Sequence, residues 1–198
     1  MTYAEQIARI CTRAVRYGAA AVAAACITIN DAPGREPPVD PQVIERYRAA
    51  LQTLHDQDYP KAERLFADLI KVHPQYSGPR AHLGLVYLRT GRLPQAIDTL
   101  TAAIDINPRP VYLNQLGIAY RQLGKFDQAR AAYDKALQID QNHAPVVLNL
   151  GILYDLYFGE ANQALAYYRR YQLLQKVPDP EVALWIADLE RRVTGRAQ

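Results

Sequence analysis

Apolar and polar positions alternate along most of the chain with helical spacing, and the pattern repeats itself at longer range. Leu83-Gly84-Leu85-Val86-Tyr87, Leu116-Gly117-Ile118-Ala119-Tyr120 and Leu150-Gly151-Ile152-Leu153-Tyr154 recur at spacings of 33 and 34 residues. Downstream of each stands an alanine followed four residues later by a large side chain: Ala96 and Leu100, Ala129 and Tyr133, Ala164 and Tyr168. Ala62 and Phe66 extend this second series upstream. A fixed period of this length marks a stack of supersecondary units, each unable to bury its apolar face alone.

The glycines and prolines divide each unit into two helices. Gly84, Gly117 and Gly151 fall where two helices of one hairpin cross, because a side chain there would push the axes apart. Ala62, Ala96, Ala129 and Ala164 answer them from the second helix. Gly91, Gly124 and Gly159 suit the left-handed residue that ends a first helix. Pro60 and Pro94 fit the first turn of a second helix, where the missing amide has no partner in any case. Between Tyr154 and Gly159 the step is five residues instead of four, which predicts a bulged or lengthened helix end.

These motifs resemble the tetratricopeptide repeat, with its Leu-Gly and Tyr in the first helix and Ala-x3-Phe in the second. Four repeats are expected, at 43–76, 77–109, 110–143 and 144–177. The first carries Arg46, Ala49, Ala50 and Thr53 in place of the first-helix signature and is read from its second helix and Pro74. Asp179-Pro180-Glu181 then supplies an N-cap, an N1 proline and a first-turn acid. Val182, Trp185, Ile186, Leu189 and Val193 follow on one face, predicting a capping helix at 178–194 that covers the last repeat. The resemblance implies an all-α, right-handed solenoid.

The N-terminus has another character. A basic stretch ending at Arg16 precedes an apolar segment over residues 19–29, too short for the roughly 20 residues that a spanning helix needs. This is the order of an export signal. Cys26 after Ala23-Ala24-Ala25 resembles the acylation site of a bacterial lipoprotein, with Ala23 where leucine is usual. Residues 1–26 are therefore expected to be a signal and Cys26 a site of lipidation, which places the protein in the periplasm, anchored to a membrane. The alternative is a cytoplasmic protein that keeps residues 3–25 as an amphipathic helix. Residues 27–41 hold Pro33, Gly34, Pro37, Pro38 and Pro41 and read as a linker, since proline sustains neither helix nor central strand.

Composition limits the chemistry. Of 198 residues, 49% are hydrophobic, enough for one packed core. The formal charge of +3 is owned largely by Arg9, Arg13 and Arg16, and the chain beyond residue 25 is nearly neutral, which argues against nucleic acid as a partner. Cys11 and Cys26 both precede the repeats, so nothing in the folded part depends on redox state. His55, His73, His82 and His143 occupy unlike settings without the spacing of a zinc site, and are expected on the surface or in the groove. No nucleophile elbow or phosphate loop is present. The expectation is a binding protein and no enzyme, without cofactor, metal or small-molecule substrate.

In such a solenoid the first helices form the concave wall. One row there reads Leu51, Leu85, Ile118 and Ile152, entirely aliphatic. A turn earlier stand Tyr47, Ala81, Asn114 and Leu148, and a turn later Leu54, Leu88, Arg121 and Asp155. With Asn149, these are the candidate residues for a peptide or helix laid in the groove. Asn114 and Asn149 match part of the set with which one subclass of these domains holds a chaperone's C-terminal carboxylate, but the lysines of that set are missing. The chain is similar to pilus-biogenesis lipoproteins and other envelope adaptors built from these repeats. The resemblance implies a scaffold in a bacterial envelope assembly, with a cytoplasmic adaptor or secretion chaperone as the alternative.

Overall fold

The computed structural model describes residues 40–195, within a unit that runs from Glu36 to Gln198. The signal-like segment, Cys26 and nearly all of the linker lie outside the described residues. Within them every regular element is helical: α1 Pro41–His55, α2 Tyr59–Val72, α3 Ser77–Arg89, α4 Leu93–Ile106, α5 Pro110–Gln122, α6 Phe126–Ile139, α7 Ala144–Leu153, α8 Ala161–Leu174 and α9 Pro180–Gly195. None is long and apolar enough to cross a membrane.

The helices pair in series, α1 with α2, α3 with α4, α5 with α6 and α7 with α8. Each later first helix also packs on the second helix of the preceding hairpin, and successive first helices touch one another. That arrangement produces an inner layer of α1, α3, α5 and α7. It is the all-α tetratricopeptide-type solenoid.

The close crossings follow from the missing side chains. A Cβ on Gly84 would lie 2.6 Å from Leu100 Cγ, one on Gly151 would lie 2.5 Å from Tyr168 Cδ1, and one on Gly117 would overlap the Tyr133 ring. The large residue four positions after the alanine therefore fills the glycine's space, while Ala96, Ala129 and Ala164 are fully buried beside it. In the first hairpin Ala50 takes the glycine's place and is equally buried, in a cluster with Ala62 and Phe66.

Gly91, Gly124 and Gly159 end the first helices in the left-handed region, at φ of 74°, 76° and 68°. In the first hairpin Gln57 adopts the same conformation at φ 61°. The surplus residue after Tyr154 is absorbed as one turn of π-helix over Tyr154–Phe158, and Glu160 N–H closes it on Tyr154 O at 2.9 Å. Wider turns of this kind accept one inserted residue without breaking the helix.

The capping helix begins where its N-cap was expected. Asp179 Oδ1 accepts from Glu181 N–H at 3.0 Å and from Val182 N–H at 3.3 Å. Asp179 is itself fixed to α8: its N–H donates to Gln172 Oε1 at 2.8 Å, and Tyr171 Oη donates to its Oδ2 at 3.2 Å. Val182 and Leu189 are buried, and Trp185 packs on Tyr168 with ring centroids 5.4 Å apart.

Candidate functional site

Leu51, Leu85, Ile118 and Ile152 all lie on the inner layer of helices and are all half-exposed. Their buried sides join three clusters, Leu51 beside Phe66, Leu85 and Ile118 beside Leu88 and Ala96, and Ile152 beside Leu150 and Tyr168, with Ile118 packing on the last two. Tyr47, Leu54, Leu148, Asn149 and Arg121 are half-exposed as well. This is a semi-apolar wall, its aliphatic side chains anchored on one side by packing and partly exposed on the other.

The remaining candidates are placed differently. Ala81, Leu88 and Asn114 are buried at 1%, 9% and 9% exposure, in the seams between helices. Asp155 is drawn to the cap: its Oδ1 accepts from Arg192 Nη2 at 2.8 Å and its Oδ2 from Tyr168 Oη at 3.5 Å. The Asp155 side chain retains 9% exposure. Its carboxylate closes the last repeat against α9.

Polar contacts join neighbouring first helices. Tyr47 Oη meets His82 Nδ1 at 2.7 Å, and His82 Nδ1 is also 3.0 Å from Gly78 O. The imidazole stacks on Phe66 at 5.7 Å. Burial lowers the His82 pKa, opposed by the Gly78 carbonyl. Asn149 Nδ2 donates to Asn114 Oδ1 at 2.9 Å between α7 and α5. Sequence reasoning left His82 without a role. Its spacing of 35 residues from Tyr47, the same as that of Asn149 from Asn114, is the signal that identifies both pairs.

The outer seam of the first two hairpins is held by charge. Arg92 grips Glu63 with both Nη atoms, at 3.0 and 2.6 Å, and its guanidinium lies 4.4 Å over the Tyr87 ring. The hydrogen bond from Arg92 holds the Glu63 carboxyl below its ordinary range. Beneath the wall, Tyr133 is fully buried with its hydroxyl unpartnered, and burial pushes its pKa up to about 12. No group of three or more His, Cys, Asp or Glu side chains converges to hold a metal among the described residues.

Comparison with known proteins places this geometry. Two tetratricopeptide repeat models match, one over residues 53–116 and the other over 110–143. The chain is 31% identical over 87 residues to anaphase-promoting complex subunit 3 of Schizosaccharomyces pombe, covering 43% of this chain and 13% of that protein. It is 27% identical over 110 residues to the probable peptide N-acetylglucosaminyltransferase SPINDLY of Hordeum vulgare, covering 51% and 12%. The chain thus spans only a small part of the length of these relatives. Among solved structures, Pseudomonas aeruginosa PilF superimposes with a TM-score of 0.70 at 20% identity, over 77% of this chain and 69% of that one. A thermophilic repeat protein of Thermus thermophilus gives 0.63 at 24%, over 78% and 84%. The first repeat domain of Spaghetti, bound to the HSP90 peptide SRMEEVD, gives 0.57 at 21%, over 61% and 94%. At these identities the likeness is one of fold.

Proposed function

Because this chain is a tetratricopeptide repeat protein, a fold that mediates contacts between proteins, we propose that it is a non-enzymatic scaffold of a bacterial envelope assembly. It holds a peptide or helix of its partner against the inner wall and is tethered to a membrane through acylated Cys26. The observation that carries the groove reading is the row of four half-exposed aliphatic side chains, Leu51, Leu85, Ile118 and Ile152, on successive inner helices. At about 25 cal/mol per Å² of apolar surface, covering such a strip contributes several kcal/mol to association. The peptide-bound Spaghetti domain supports the reading as a relative in fold that holds a peptide.

The anchor and the envelope location rest on the tripartite order of the N-terminal segment and on Cys26 after three alanines. Two experiments separate the parts. Replacing Leu85 and Ile118 by glutamate should abolish partner capture while helicity stays near that of the parent; retained pull-down would remove the groove from the proposal. Globomycin should make an unprocessed form accumulate, and unchanged mobility would exclude acylation and favour a cytoplasmic adaptor with the N-terminal helix retained.

A further inference from the structure

Arg121 stands one turn beyond Ile118 near the end of α5, half-buried among the aliphatic residues of the wall. No ion pair or hydrogen bond engages its guanidinium among the described residues, whereas the carboxylate at the equivalent place of the next repeat, Asp155, is held by Arg192 and Tyr168. The charge of Arg121 falls instead on the buried hydroxyls of Tyr133 and Tyr168, which are neutral. A half-buried guanidinium with no direct ion pair, the nearby Asp155 carboxylate being held by Arg192, is a poor arrangement for the free protein and a favourable one for a complex that brings it a carboxylate of its own.

The neighbouring amides are tied to one another, Asn149 Nδ2 donating to Asn114 Oδ1, and neither is bonded to Arg121 among the described residues. Aliphatic surface continues on both sides of Arg121, through Leu85 on α3 and through Leu148 and Ile152 on α7. A ligand that ended at Arg121 would leave the last repeat uncovered, so a chain running past it makes the fuller contact.

We infer that the partner segment carries an aspartate or glutamate side chain, with aliphatic residues on either side, and that Arg121 receives this carboxylate in the fork geometry that guanidinium offers. The inference rests on the groove reading above and adds the chemistry of the occupant. Inner helices stand roughly 10 Å apart. The flanking aliphatic residues therefore lie about seven positions from the acid in a helical ligand, or about three in an extended one.

The test selects a display library of random 16-residue peptides on the immobilised full chain, and then measures resynthesised peptides by fluorescence anisotropy. Enriched peptides should carry an acid between aliphatic residues and should lose binding with Leu85→Glu. Arg121→Gln should weaken them about tenfold, as should Glu→Gln in the peptide, and the two changes together should weaken binding little more than either alone. Arg121→Glu should be rescued by lysine at the peptide's acidic position. Circular dichroism confirms that each variant is folded, and Ile118→Glu replaces Leu85→Glu if the latter is not. Peptides that need Leu85 but ignore Arg121→Gln overturn the inference and leave the groove reading standing. Peptides abolished by C-terminal amidation overturn it in favour of a chain-end carboxylate. A selection yielding only peptides indifferent to Leu85→Glu, or none, overturns the groove reading itself.

Discussion

Asn149 donates to Asn114 across 2.9 Å, tying α7 to α5 at the same register at which Tyr47 meets His82 between α1 and α3. The seam between α3 and α5 interrupts the series. Ala81 occupies the place held by Tyr47 and Asn114 in the flanking seams, and Gln115, equivalent to His82 and Asn149, keeps a buried Oε1 without a partner.

Gln115→Met should therefore stabilise the protein. It removes the orphaned acceptor while keeping the length of the side chain, and relieving a buried unmet hydrogen bond is worth about 1 kcal/mol. Asn114→Leu should act in the opposite sense by about 1–2 kcal/mol, since it strands the Asn149 amide in the next seam. Urea unfolding of the two variants reads both signs. A lower midpoint for Gln115→Met would show that the acceptor is satisfied in solution.

The His82 seam should be sensitive to acid. Burial lowers the His82 pKa below its ordinary value of 6.5, so above that pH the ring is neutral in both the folded and the unfolded chain. As pH falls below 6.5 the unfolded chain takes up the proton first, and stability declines until the folded-state pKa is reached. His82→Gln should flatten the stability profile in that window while leaving the carboxylate-driven loss at lower pH, including that of the Arg92–Glu63 pair, in place. Thermal midpoints across pH 4–8 give the comparison; identical profiles for parent and variant would exclude His82 as the cause.

Gly117→Ala sets two effects against each other. Alanine in a helix interior gains up to about 1 kcal/mol over glycine in propensity. The added Cβ, however, overlaps the ring of the fully buried Tyr133, and forcing a packed core apart typically loses 1–3 kcal/mol. Net destabilisation is expected, in contrast to Gly→Ala at an exposed helical position. A stability equal to or above the parent's would mean that the α5–α6 hairpin opens freely.

Helix crossings were legible because close approach admits only small residues, so Gly84, Gly117 and Gly151, facing Leu100, Tyr133 and Tyr168, write the geometry into a period. The π turn was legible as one residue too many before Gly159. The Asp155 ion pair was not legible, because Arg192 lies on the capping helix, outside the repeat, where no periodicity points to it. The role of His82 is harder to read: its contact to Tyr47 joins positions off the repeat signature, and only the 35-residue spacing shared with Asn114 and Asn149 points to it. The buried state of Asn114 belongs to the same class, since its exposure depends on what the following repeat places opposite it.

The first hairpin carries an irregularity that can be repaired. Gln57 ends α1 in the left-handed conformation at φ 61°, where the other three hairpins use glycine. A Cβ in that region costs about 1–2 kcal/mol relative to right-handed backbone, a penalty glycine escapes. Glycine also adds entropy to the unfolded chain, which offsets about half of that gain. Gln57 is exposed, so little packing is lost with its side chain. Gln57→Gly should then stabilise the protein by about 0.5–1 kcal/mol, and Gln57→Ala, which keeps the Cβ, should not. Since the strain is local, the gain should appear as slower hydrogen exchange in α1 and α2 before it appears in α7 to α9. Equal stability of the glycine and alanine variants would show that the turn relaxes without cost and that the left-handed residue sets no limit on this hairpin.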